Sequence, residues 1–155
     1  MKIPIDADSS AAGPLTDVQI GYCFFRVFAG VNLFFHGFMR LLNGVSYWEI
    51  PTAETFGDTF LPMPLVHIAL NMIPYTEVFI GTFMTLGLLT RRAFIGGLAF
   101  MFVLLFGHLV RQNWAGAHTV MLYGLYYWIL LVLLNQNRLS LDSRRSTGLK
   151  EVSPA

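Results

Sequence analysis

The sequence predicts an all-α integral membrane protein: a four-helix bundle, N-in and C-in, with a long extracytoplasmic interfacial loop between its first two helices. Three observations predict it. The 155 residues are 55% hydrophobic and only 12% charged, about half the charge of an ordinary soluble domain. Four apolar stretches each reach the roughly 20 residues needed to cross a bilayer. The basic residues also gather at one set of stretch ends, which sets the orientation.

Residues 1–17 read as a polar cytoplasmic tail. The segment has neither the basic start nor the short apolar run of a secretory signal, so the first apolar stretch is expected to persist as a span. One transmembrane domain, 18–138, follows, with helices expected at about 18–42, 65–90, 93–112 and 117–137. Residues 139–155 read as a second polar tail, expected to be disordered.

The first span, "VQIGYCFFRVFAGVNLFFHGFMRLL", carries Arg26, His36 and Arg40. At 100° per residue, Arg26, Leu33, Gly37 and Arg40 fall within about 40° of one another, with His36 near the edge of that stripe. This stripe is expected to face the bundle interior. Cys23 is the single cysteine, so an internal disulfide and a CxxC redox pair are both excluded, and it is read as a small apolar packing residue.

The connection from Asn43 to Pro64 holds Tyr47, Trp48, Phe56 and Phe60, together with Glu49, Glu54 and Asp58, but no lysine or arginine. That mixture suits a segment lying on the membrane surface, with a short amphipathic helix near 53–60. It reads equally as a lid and as an interfacial cap. In the second span, His67 is read as interfacial, Pro74 predicts a kink, and Glu77 is the acid placed well inside a span. The link "TRR" leads tightly into the third span, which ends with His108 and Arg111. The link "NWAG" leads into the fourth, which begins with His118 and Thr119. Such short links make sequential spans antiparallel neighbours.

With both termini inside, the cytoplasmic side holds Lys2, Arg91, Arg92, Arg138, Arg144, Arg145 and Lys150, against Arg40 and Arg111 outside. That asymmetry gives N-in and C-in in a bacterial-type inner membrane. It also brings His36, Arg40, Glu77, His108, Arg111 and His118 to the outer leaflet. His36 lies roughly 9 Å, and His108 roughly 6 Å, below the outer ends of their helices. Charges in hydrocarbon cost about 2.5–3.5 kcal/mol each and seldom stand alone. Glu77 therefore needs a partner, and Arg26, Arg40 and Arg111 are all candidates. Arg40 and Arg111 read equally as snorkelling to the interface. Together these residues predict one polar pocket, with Glu77, His36 and Arg40 as reacting groups and Arg26, His108, Arg111 and His118 as cofactor-binding groups. Tyr75, Tyr123, Tyr126, Tyr127 and Trp128 supply aromatic walls or simple filler. Gly30, Gly37, Gly81, Gly96, Gly97, Gly107 and Gly124 permit close helix approach.

A net charge of +1 gives no reason to expect a nucleic-acid partner. No flavin, nicotinamide or iron–sulfur motif is present, and no metal site is expected.

The run "FFRVFAGVNLFFHGFMRLLNG", with its early arginine and its "HG" followed by a basic residue and leucine, resembles the first helix of the DoxX/DoxD family. "PYTEVFIGTFMTLGLLTRRAFIGG" resembles that family's second helix and turn. The resemblance covers roughly Gly21 to Leu139 and puts weight on Arg26, His36, Gly37, Arg40, Glu77, Gly81, Thr90 and Arg91. Residue 40 is arginine where lysine is common in the family, which keeps the charge and changes its geometry. The resemblance implies a four-helix membrane protein linked to quinone, like the membrane subunit of a thiosulfate:quinone oxidoreductase.

The leading functional expectation is therefore a quinone-interacting membrane subunit that receives electrons from a membrane or periplasmic redox partner. In it, His36, Arg40 and His108 donate hydrogen bonds and Glu77 relays protons, while Arg40 and Arg111 attract a small anion. Its alternatives are a non-catalytic accessory subunit of a larger respiratory or photosynthetic complex, a haem b site with His36 and His108 as axial ligands, and a small-anion transporter.

Overall fold

The computed structural model describes residues 14–143. These form α1 (Asp17–Leu42), α2 (Val45–Glu54), α3 (Met63–Leu86), α4 (Thr90–Val110) and α5 (Trp114–Val132), with a 3₁₀ turn at Leu134–Gln136. All of these helices except α2 are long and apolar enough to cross a membrane, giving four spans. Residues 1–13 of the expected first tail, and the second tail beyond Ser143, lie outside the described residues.

Local chemistry sets each boundary. A Thr16–Gln19 capping box starts α1. Gly87 ends α3 earlier than expected: at φ 66° it takes up the left-handed conformation, so Leu88 N–H reaches the Phe83 carbonyl and Gly87 N–H the Met84 carbonyl. Asn113 caps α5 by accepting from Gly116 N–H at 3.0 Å.

Two expectations are corrected. The short helix of the long connection lies at Val45–Glu54 rather than near 53–60. Pro51 sits inside it, and the bond that proline cannot make falls at Tyr47, which is exposed to solvent. Residues 140–143 are also not a free tail. Asp142 accepts from Leu89 N–H (2.9 Å), Thr90 N–H (2.8 Å) and the Thr90 hydroxyl (2.8 Å), so it caps α4 from 52 residues downstream. An acid there also offsets Arg91 and Arg92 in the first turn, where the helix dipole disfavours cations.

The bundle is built as two tight helix pairs, α1 with α3 and α4 with α5. Glycines let the first pair touch backbone to backbone. A Cβ at Gly30 would lie 2.5 Å from Thr85 N, and one at Gly81 2.5 Å from Phe34 N. Gly37 abuts the carbonyl oxygen of Pro74, and α3 runs on through that proline to Leu86.

At one end the two pairs are locked together. Met84, Phe94, Tyr127 and Leu130 are fully buried there, and the Tyr22 hydroxyl donates to the Leu130 carbonyl at 3.1 Å. Arg26, 2% exposed, donates to the Met84 (2.6 Å), Thr85 (2.7 Å) and Leu139 (2.8 Å) carbonyls. It thereby satisfies the C-terminal carbonyls of α3 and complements that helix's dipole. At the opposite end the pairs splay apart, and α2 lies across the gap.

Two stability outcomes follow from this packing. Gly81→Ala must displace the α1 backbone and is expected to cost about 1–3 kcal/mol, read as an earlier unfolding transition in lipid nanodiscs. Asp142→Ala removes the cap of α4 and is expected to cost about 1–2 kcal/mol. Hydrogen exchange should then rise first at residues 89–93.

Candidate functional site

The splayed end encloses a cavity of about 650 Å³ that is lined by all five helices. Its volume falls within the range of small-molecule sites. Leu33, Leu70, Met101 and Leu104 give it apolar walls, and its polar groups come from four spans and the cover.

Glu77 is 3% exposed and Tyr127 1% exposed, and both line the cavity. Arg40, one of the three candidate partners of Glu77, is the one that reaches it: Nη1 donates to both carboxylate oxygens at 2.6 Å. The Arg40 guanidinium carbon also lies over the Trp48 ring of α2, 4.3 Å from its centroid. Glu77 thus holds its charge against a cation that is itself shielded by an aromatic face. Arg40 does not snorkel away, because the glycine contacts between α1 and α3 bring these two side chains together.

His36 is exposed on the α1 side facing α5. Its ring meets Tyr123 edge-on, with centroids 6.5 Å apart. Asn32, one turn earlier, is also exposed and lines the same cavity. Neither side chain has a hydrogen-bond partner among the described residues. Below them α1 and α5 converge through Phe25–Tyr126 ring contact and the Tyr22–Leu130 bond.

On α4, His108 Nδ1 sits 3.0 Å from Arg111 Nη2. Arginine only donates, so Nδ1 accepts and the neutral ring keeps its proton on Nε2. Arg111 also donates to the Thr55 hydroxyl at 2.8 Å and stacks over Phe56 at 4.7 Å. A third tie to the cover joins the buried Glu49 of α2 to His67 of α3. Two arginine–aromatic stacks and one ion pair therefore hold α2 and its following turn over the cavity.

Of the seven residues singled out in the sequence, Glu77, His36, Arg40, His108 and Arg111 line this cavity. Arg26 does not: it lies at the closed end, bonded to backbone carbonyls. His118 does not either. It is exposed, and its neighbour Thr119 takes the lining position. Sequence reasoning missed Asn32, Trp48, Thr52 and Phe56. Asn32 was detectable as a polar residue four before His36 on an apolar helix. The three from the cover were not, because they reach the cavity only through the path of the loop. His67, read as interfacial, gains a specific acidic partner.

The Arg40–Glu77 pair gives a test of the site's electrostatics. Arg40→Met strands a buried carboxylate and is expected to destabilise the protein toward the low end of about 3–5 kcal/mol. The Arg40→Met/Glu77→Gln double variant should unfold at a higher temperature than Arg40→Met alone, which comparative melts in nanodiscs would show.

No curated protein and no solved structure matches the chain. The family model described as DoxX matches residues 21–109, a stretch that includes most of α1, all of α2 and α3, and the cavity-lining residues from Asn32 to His108. With four helices able to cross a membrane, the chain belongs to the DoxX family of membrane proteins.

Proposed function

We propose that the cavity receives the head group of a lipid-soluble quinone, and that the protein is the membrane subunit of a quinone-linked oxidoreductase. The carrying observation is that Asn32 and His36, exposed and without a hydrogen-bond partner among the described residues, line a largely apolar cavity where α1 faces α5. Polar groups exposed toward lipid are costly, and a ring with carbonyl oxygens entering sideways from the bilayer would satisfy them. His36 and Arg40 donate to one carbonyl, while His108 Nε2–H donates near the other end. Glu77, ionised against Arg40 at rest, accepts a proton from the outer aqueous side and relays it to the reduced ring. Because the polar groups sit beneath α2, they lie at the outer leaflet in the N-in, C-in orientation favoured by the basic residues. An inner-membrane location with an extracytoplasmic electron donor, or a partner subunit on that side, then follows.

The haem reading is less well supported. Ligation through His108 Nε2 requires that nitrogen to be free of its proton, while Arg111 occupies Nδ1 as donor. The same donation suits a hydrogen bond from Nε2 to a carbonyl.

The full chain in nanodiscs, with Trp114 and Trp128 replaced by Phe, reports on the cavity through Trp48 emission. Short-tailed ubiquinone or menaquinone should quench it. His36→Ala, at an exposed position that leaves the fold intact, and Glu77→Gln should each weaken binding about fivefold. Unchanged binding in both variants would overturn the assignment.

A further inference from the structure

Among the described residues Arg111 is a cation without an acidic partner. It directly follows the last residue of α4, yet its side chain turns back along the helix instead of extending to water. Nε donates to the Gly107 carbonyl at 3.2 Å, Nη2 to His108 Nδ1 at 3.0 Å and Nη1 to the Thr55 hydroxyl at 2.8 Å. The guanidinium covers the Phe56 ring. Each of these partners is neutral. Among the described residues the ion pairs join Arg40 to Glu77 and His67 to Glu49, so none reaches Arg111.

Arginine stays charged in proteins. An arginine at a helix end beside the interface ordinarily snorkels outward. This one lines the cavity and meets the cost of partial burial without a counter-charge. The sum over the cavity is then simple. Arg40 and Glu77 cancel, and Arg111 leaves one positive charge, with the His108 Nε2–H next to it.

We propose that the natural ligand carries an ionised oxygen on an apolar ring, and that Arg111 with His108 holds that oxygen. The inference rests on the quinone reading for the ring and adds its charge. The ionised oxygen is either an acidic ring hydroxyl, as on a hydroxyquinone, or a carboxylate on an aromatic ring. Both present the same chemistry to a guanidinium, and the apolar walls accept either body. In this arrangement the ligand is the counter-ion that Arg111 lacks among the described residues.

Isothermal titration of the full chain in phosphatidylcholine nanodiscs tests the inference, with empty discs as the blank. The probes are 1,4-naphthoquinone, its 2-hydroxy derivative, which is ionised at neutral pH, and 2-naphthoate. The ionised quinone is expected to bind at least about tenfold tighter than the neutral parent, or about 1.4 kcal/mol. Arg111→Gln should abolish that preference and Arg111→Lys should keep most of it. Thr55→Val cuts the bond to the cover while leaving the charge, and should also keep it, which separates charge recognition from a merely structural role.

Equal affinity for the two quinones, or a preference that survives Arg111→Gln or is lost in Thr55→Val, overturns the inference and leaves the quinone reading standing. Arg111-dependent binding of naphthoate without binding of either quinone overturns the quinone reading and supports the anionic ring. Binding of none of the three probes overturns both.

Discussion

The rest of the structure depends on the close contact between α1 and α3. Gly30 and Gly81 allow two backbones to approach where any side chain would collide within 3 Å. In lipid, helix association gains little from the hydrophobic effect, so such close packing is a main source of cohesion. This one contact also places two charges. Toward one end it carries Arg26 to the terminal carbonyls of α3, and toward the other it carries Arg40 to Glu77. Two arginines on one helix thus find opposite kinds of partner, a helix dipole and a carboxylate. Each cation is thereby made tolerable inside the bundle.

The second helix pair is held differently, and the difference makes the site. α4 and α5 pack closely on each other but meet the first pair mainly at the closed end, around Met84, Phe94 and Tyr127. A wedge remains at the other end. Filling it with side chains would have produced an ordinary four-helix bundle. Small or short residues at Gly107, Gly116 and Thr119 leave it hollow instead. The cover α2 closes the wedge from above through stacked arginines, whose cation–π contacts contribute on the order of 0.5–2 kcal/mol each. Such contacts tie α2 down while leaving the walls beneath it apolar, a combination that suits a cavity made for a ring with a polar edge.

How much of this was legible in the sequence can be judged residue by residue. The four spans were visible because lipid demands about 20 apolar residues whatever the neighbours are. The inward stripe on α1 was visible because helical period fixes which residues share a face: Arg26, Leu33 and Gly37 are all buried. The five cavity residues Glu77, His36, Arg40, His108 and Arg111 stood out because polar groups in apolar helices are few. Arg26 was misplaced into the site because period gives direction but not depth of contact, and its partners are backbone carbonyls, which carry no sequence signature. His118 was misplaced because successive helix positions point about 100° apart, and α5, which starts at Trp114, turns Thr119 rather than His118 to the cavity. Asp142 went unread as a cap because it acts on a helix 52 residues away in the chain.

The sequence by itself determined the solvent, the number of spans and the set of side chains available for chemistry, since these follow from composition and local periodicity. Only the tertiary structure decided which arginine pairs with Glu77, that Arg111 meets no acid among the described residues, and that a hollow lies between the helix pairs beneath α2. Those outcomes depend on how glycine-mediated contacts set helix separation and on where a loop crosses the bundle. Both are properties of distances between segments remote in the chain, which no local pattern encodes.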